Sequence, residues 1–283
     1  MSSLTDRDPG TVKDTGKVGP DHARAPARLA IFEAVVDSHH LSQTPAEDGH
    51  RLFIAAPRGP VPAQGWPVIY LLDGNAAFDF LTPDHLAAVP GLVVVGVGYD
   101  TDRQFARERR TLDFTPPDGA QGIRPDPVHP GRMAGGGADF LARLTGPLRA
   151  RAEEGLPIDT ARRTLWGHSF GGLFTLYAAL SAPDSFARFA AISPSVWWDE
   201  GLMARIADAA GPLPPLLIAL SDAEKRSGQD GPPPAGPAPA TMALIRALHP
   251  HPGPAPQVHI LPGLAHIQTL AASLPLALSF AAS

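Results

Sequence analysis

Residues 165–172 read Leu165-Trp166-Gly167-His168-Ser169-Phe170-Gly171-Gly172. Just upstream, Thr164-Leu165-Trp166 closes a short apolar strand. Downstream, Leu173-Phe174-Thr175-Leu176-Tyr177-Ala178-Ala179-Leu180 is an apolar run suited to a helix packed under a sheet. Between them stands Gly-x-Ser-x-Gly, the spacing of a nucleophile elbow with Ser169 at the turn. A serine on so tight a turn takes strained backbone angles, and the flanking glycines let strand and helix approach. The strain lifts the Ser169 hydroxyl clear of the sheet edge. It also leaves the backbone N–H of Phe170 at a helix N-terminus, where it can stabilise an oxyanion.

Working outward, the chain alternates buried strands with helices. Pro67-Val68-Ile69-Tyr70-Leu71-Leu72 and Gly91-Leu92-Val93-Val94-Val95-Gly96-Val97-Gly98-Tyr99 are continuous apolar runs, the pattern of strands covered on both faces. Further strands are expected at Arg28–Val36, Arg51–Ala56, Arg162–Trp166, Phe186–Ser193, Pro215–Leu220 and Gln257–Leu261. The first two of these form an antiparallel edge, with His39 and His40 in a solvated connection after the first. Helices are expected at Ala76–Ala88, Ala138–Glu154, Thr241–Leu248 and Gln268–Ala282. Residues 100–134 are a charged, proline-rich excursion without evident structure, and 227–240 read as a Gly/Pro/Ala surface loop. This order predicts an α/β fold with a mainly parallel central sheet and helices on both faces. Residues 1–27 are expected to be a flexible, polar tail and 28–283 a single catalytic domain.

Composition narrows the function. The 283 residues are 44% hydrophobic, enough for a large core, and carry a formal charge of −5. No basic face for nucleic acid follows from that balance. With no cysteine, disulfides, thiolate metal sites and a Cys nucleophile are all excluded. The first 25 residues have no apolar core, so neither a signal peptide nor a membrane anchor is expected and the protein is read as cytoplasmic.

An elbow serine needs a base to take its proton and an acid to orient that base, in the chain order Ser, Asp/Glu, His. His266 follows the last strand and precedes the terminal helix, where that base should fall. His168 packs beside the serine, His249 and His251 flank a helix end, and His259 lies within a strand. The acid should follow the strand ending at Leu220, which offers Glu224 and Asp222, with Glu224 preferred. A dyad without an acid stays open. A second oxyanion amide comes from the loop after the strand at 67–72, where Gly74 and Asn75 are the candidates.

Five segments in order resemble a known family: Leu71–Phe78 (LLDGNAAF), Arg109–Pro116 (RRTLDFTP), Gly135–Leu141 (GGGADFL), Gly167–Phe174 (GHSFGGLF) and Ser193–Trp198 (SPSVWW). Together they are similar to the putative-esterase branch of the α/β-hydrolases, and in particular to siderophore esterases that open enterobactin- and salmochelin-type trilactones. The resemblance implies an α/β-hydrolase fold, a serine carboxylic-ester hydrolase, and a siderophore ester as substrate, ferric or free. It implies no cofactor and no catalytic metal, since iron would arrive with the substrate. Ser169 as nucleophile and His266 as base agree with the reading above. The resemblance also brings Arg110 near the substrate, unless Arg110 instead pairs with Asp113 and braces its loop. Trp197, Trp198 and His168 are further candidate substrate contacts, with core packing expected for at least one tryptophan. Two departures stand out. Ala265-His266-Ile267 lacks the glycine that usually follows the family's histidine, and the chain resembles the short, single-domain forms. A general carboxylesterase or acyltransferase, and an inactive hydrolase-fold binding protein, are the competing readings.

Overall fold

The computed structural model describes residues 25–45, 49–119, 122–225 and 231–283. Its centre is an eight-stranded sheet. In chain order the strands and helices are β1 (His39–Pro45), β2 (His50–Pro57), β3 (Trp66–Leu72), α1 (Gly74–Phe80), α2 (Pro83–Ala87), β4 (Val93–Tyr99) and α3 (Arg107–Phe114). A small hairpin of β5 (Arg124–Pro125) and β6 (Met133–Ala134) follows, then α4 (Gly137–Arg143), α5 (Arg149–Ala152), β7 (Ile158–His168), α6 (Phe170–Ser181) and β8 (Arg188–Ile192). The chain ends with α7 (Glu200–Asp208), β9 (Leu216–Leu220), α8 (Pro239–Leu248), β10 (Gln257–Ile260) and α9 (Gln268–Ala282).

The sheet order is β1-β2-β4-β3-β7-β8-β9-β10. β1–β2 and β2–β4 are antiparallel, and every other pair is parallel. Alternating side chains feed two cores. Val68, Tyr70 and Leu72 of β3 face a layer built on α3, α4, α6, α7 and α8, while Ile69 and Leu71 face α1 and α9. This is why the strand reads as a continuous apolar run rather than a half-polar one. The architecture is that of an α/β-hydrolase, as the sequence predicts, and α9 has the expected bounds.

Several expectations change. Arg28–Val36 is not a strand: only a 3-10 turn at Ala30–Phe32 forms there. The Asp79 carboxylate accepts the backbone N–H groups of both Arg28 and Leu29 at 2.7 Å, and Leu29 takes a left-handed φ of 51°, which ends any extended run. The antiparallel edge is instead β1 with β2, so His39 and His40 lie in a strand. His39 is fully buried, with Nε2 2.9 Å from the Leu92 carbonyl. The helix expected at Ala76–Ala88 is two helices. Thr82 precedes a proline, is extended at φ −121° and ψ 160°, and caps α2 by accepting from His85 N. The excursion at 100–134 holds α3 and the hairpin. The helix expected at Ala138–Glu154 is interrupted by a π-helical segment, Leu144–Leu148, containing Gly146 and Pro147. α7, which the sequence reading passed over, is capped by Asp199 accepting from Leu202 N at 2.9 Å. Residues 1–24 of the expected tail and 227–230 of the expected surface loop lie outside the described residues. Ala25 to Ala27 already pair with the backbone of residues 102–104.

At the β7–α6 junction strand and helix come very close. A Cβ on Gly167 would stand 2.2 Å from the Gly171 carbonyl oxygen, and one on Gly172 would stand 2.7 Å from the Ile192 oxygen. Both obstacles are backbone, so neither can turn aside. Gly167→Ala is expected to lower unfolding free energy by about 2–3 kcal/mol, read from urea denaturation, because strand and helix must separate.

Candidate active site

The site sits at the carboxyl ends of the central strands. Ser169 follows β7 directly and caps α6 with φ 61° and ψ −116°, a combination an L-residue holds only under constraint. Its N–H donates to the Ile192 carbonyl at 2.9 Å and its carbonyl accepts from Leu173 N at 2.9 Å, so both neighbours hold the turn. The Phe170 N–H opens the 12-residue helix α6, where the helix dipole favours negative charge.

Two loops meet Ser169. After β10, the loop carrying His266 is pinned by Gly263 N donating to Asp222 Oδ1 at 2.8 Å, Leu264 N to Ser221 Oγ at 3.1 Å, and His266 N to the Lys225 carbonyl at 3.2 Å. After β9, Glu224 turns back beneath it. His266 Nε2 lies 3.0 Å from Ser169 Oγ, and His266 Nδ1 lies 2.9 Å from Glu224 Oε2. The carboxylate only accepts, so Nδ1 carries the ring proton and the lone pair of Nε2 faces the serine hydroxyl. Asp222 does not reach the histidine; it anchors the loop at Gly263 instead.

Glu224 is largely buried. Burial pushes its carboxyl up, but hydrogen bonds from His266, Ser193 and Ser221 N, with the positive charge of His266 whenever that ring is protonated, hold it below its ordinary 4.5. The Ser193 hydroxyl donates to Oε1 at 2.6 Å and Ser221 N donates to the same oxygen at 2.8 Å. Behind Ser193 stands Thr269 Oγ1 at 2.8 Å, itself 3.1 Å from His168 Nε2. His168 Nε2 also lies 3.0 Å from the His266 carbonyl, which only accepts, so that nitrogen bears the proton. His168, Thr269, Ser193 and Glu224 thus form a buried run of polar contacts behind the base.

Ser169, His266 and Glu224 thus form one hydrogen-bonded line. A family model described as Putative esterase matches residues 46–210, over half of the chain. The chain belongs to this esterase family. It is 36% identical over 174 residues to the ferri-bacillibactin esterase of Bacillus subtilis, covering 56% of this chain and 58% of that protein. It is 38% identical over 169 residues to the apo-salmochelin esterase of Escherichia coli O6:H1, covering 56% and 52%. The chain therefore spans little more than half the length of the curated relatives it matches. Among solved structures, enterobactin and salmochelin hydrolase IroE aligns with 90% of this chain and 99% of its own at TM-score 0.70 and 28% identity.

The structure gives the remaining candidate side chains the following surroundings. Arg110 does not pair with Asp113. Its Nε and Nη2 each bond the Asp73 carboxylate at 2.8 Å, and its guanidinium packs 5.3–5.5 Å from the ring centres of Phe105, Phe114 and Phe170. Asp113 is taken by Arg143 at 2.7 Å, with Tyr99 and His50 also on it. Burial pushes the Asp73 carboxyl up and Arg110 opposes it. His168 is buried under His266 and contacts its backbone rather than the open site. Trp198 is buried with Nε1 donating to Asp126 Oδ1 at 2.9 Å, so it is the tryptophan that packs. Trp197 is half-buried beside the Phe170 ring at 6.3 Å. Gly74 and Asn75 begin α1, and the Asn75 side chain clamps β4 by accepting from Tyr99 N and donating to the Tyr99 and Thr101 carbonyls. Sequence reading missed Ser193 and Thr269. The Ser193-Pro194-Ser195 motif was the available signal, though no spacing rule ties it to the acid. Among the described residues no group of three or more His, Asp or Glu is placed to hold a metal, and no helix is long and apolar enough to cross a membrane.

Two variants separate these roles. Glu224→Gln is expected to lower kcat by about 10⁴-fold, since an amide in place of the carboxylate no longer fixes the Nδ1–H tautomer. Because the folded carboxyl titrates below its unfolded value, its stabilisation is present above about pH 4.5 and lost as pH falls through the lower folded value. The variant's stability should fall less steeply on that acid side in a pH series of urea melts. Arg110→Ala is expected to cost about 3–5 kcal/mol in the same melts, by stranding the buried Asp73 charge.

Proposed function

We propose that this protein is a serine carboxylic-ester hydrolase acting on the ester bonds of a siderophore. The observation that carries the reading is the hydrogen-bonded line from Ser169 through His266 to Glu224. In this mechanism His266 Nε2 takes the Ser169 proton as Oγ attacks the ester carbonyl. The amides of Phe170 and of Gly74 or Asn75 receive the oxyanion. The imidazolium, steadied by Glu224, protonates the leaving alkoxide and an acyl-enzyme remains. Water activated by His266 then releases the acid and restores Ser169.

The substrate class rests on the named activities of the relatives. Aromatic surface near the elbow suits it too: Trp197 lies beside Phe170, and the His129 ring meets Phe170 edge-on at 5.7 Å. Iron enters as part of the substrate, not as a resident cofactor. The test is hydrolysis of enterobactin, with and without Fe(III), by wild type and Ser169→Ala, with products separated by chromatography. Linear trimer, dimer or monomer is expected with wild type, and a fall of about 10⁶-fold in kcat with Ser169→Ala. Turnover of p-nitrophenyl esters without any trilactone opening would move the substrate to a general carboxylesterase's. Absence of labelling by a fluorophosphonate would overturn the serine mechanism itself.

A further inference from the structure

The turn after β8 places a second hydroxyl on the nucleophile. Ser195 is 1% exposed, and its Oγ lies 3.2 Å from Ser169 Oγ. Ser195 N also donates to the Ser169 carbonyl at 3.0 Å, so the two residues are locked together by backbone as well as by side chain. The turn has little freedom to drift. Ser193 is held at φ 42°, Pro194 fixes the next φ, and Trp198 N donates to the Ser195 carbonyl at 3.0 Å.

Proton bookkeeping fixes the direction of the contact. Glu224 accepts from His266 Nδ1–H, so His266 Nε2 is an acceptor and Ser169 donates its single proton there. Ser169 has no second proton for Ser195. The contact at 3.2 Å therefore has Ser195 O–H donating to a lone pair of Ser169 Oγ. That separation is longer than the 2.7–2.8 Å typical of O–H···O bonds, and charge-assisted bonds to an anionic oxygen contract to about 2.5–2.7 Å. The contact is weak while Ser169 is neutral and has room to tighten when charge gathers on Oγ. An interaction stronger in the transition state than in the ground state is what accelerates a chemical step.

We infer that Ser195 is a further catalytic residue, whose hydroxyl stabilises negative charge on Ser169 Oγ itself. It is distinct from the oxyanion amides. The adjoining strand β8 lies on the far side of β7 from β3, whose loop supplies Gly74 and Asn75. Charge gathers on Oγ twice. In acylation the proton leaves Oγ for His266 as the O–C bond forms. In deacylation the Oγ–C bond breaks, its electron pair returns to Oγ, and His266 returns the proton. Ser195 keeps its own proton throughout, so nothing else is consumed.

The inference rests on the serine-hydrolase reading, and one experiment tells the two failures apart. Wild type, Ser195→Ala, Ser169→Ala and the double variant are assayed with p-nitrophenyl acetate and with a fluorophosphonate, beside their urea midpoints. If wild type neither turns over nor labels, the serine-hydrolase reading fails. Given wild-type activity, Ser195→Ala is expected to lower kcat and the labelling rate by about 10- to 100-fold, the range for a hydrogen bond to a charged group. KM and the pH midpoint of kcat should stay in place, because the His266–Glu224 pair is untouched. Adding Ser195→Ala to Ser169→Ala should change the residual rate by less than about twofold, since the hydroxyl acts through an oxygen already gone. Labelling at the wild-type rate or faster in Ser195→Ala would overturn the inference. So would an equal loss in both backgrounds, or a shifted pH midpoint, either of which marks a structural role.

Discussion

The bidentate pair between Asp73 and Arg110 joins the parts of the site that lie far apart in the chain. Asp73 follows β3, and Arg110 comes from the charged excursion that interrupts the regular alternation of strand and helix. Their two 2.8 Å bonds are buried among Phe105, Phe114 and Phe170. Arg110 Nη2 also reaches to 3.5 Å from the His168 carbonyl, the peptide just before the nucleophile. A guanidinium holds a carboxylate in one plane and stacks on rings at the same time, which an ammonium cannot do. So the pair fixes the loop after β3, the helix α3 and the elbow relative to one another. The expense of burying two charges makes sense as geometry rather than as net stability.

Backbone strain has the same address. Four described non-glycine residues have positive φ: Leu29, Asp73, Ser169 and Ser193. Three of them stand immediately after β3, β7 and β8, which are adjacent in the sheet. Each ends its strand by turning sharply, and each brings a polar group to the carboxyl edge: the Arg110 anchor, the Ser169 hydroxyl and the donor to Glu224. Parallel sheets collect ligand sites at that edge because successive strands deliver their loops there. The strain is carried by the closely packed core beneath, where Leu72, Trp166 and Ile192 are fully buried.

What could be read from sequence follows from range. The elbow is local, a matter of five residues and the crowding of Gly167 against Gly171, and it was legible. So were the parallel strands, whose two-sided burial leaves unbroken apolar runs, and α9, with no competing signal. The edge was not. Arg28–Val36 has a strand-like composition, and its conformation is decided by Asp79, fifty residues away. The site divides the same way. Chain order singles out Ser169 and His266, which the fold sets 3.0 Å apart, and of the two acids offered after β9 only the fold shows that Glu224 bonds the histidine. The partner of Arg110 did not follow, because two aspartates compete and only the fold shows that Arg143 has claimed Asp113. Ser193 and Thr269 were hidden for a related reason. A serine and a threonine acquire meaning only when folding sets them 2.8 Å apart behind an acid.

That placement explains how a buried glutamate can stay charged beside His266. An isolated carboxylate moved out of water would take up a proton rather than stay charged. Glu224 instead receives His266 Nδ1–H on one oxygen and both Ser193 O–H and Ser221 N–H on the other. Three donors replace the lost hydration, so the group titrates below its ordinary value despite its burial. Ser193 is in turn backed by Thr269, whose one proton has two acceptors, Ser193 Oγ and the His266 carbonyl at 2.7 Å. His168 Nε2–H lies within reach of both Thr269 Oγ1 and that carbonyl, and so buttresses the same strand of contacts. The base is consequently held at its ring by the acid and at its backbone by the groups that also support the acid. Rotation of the imidazole away from Ser169 would break Nδ1–H···Oε2 without relieving any other contact. The imidazole orientation that faces Ser169 is therefore the one in which all of the carboxylate's donors are satisfied together.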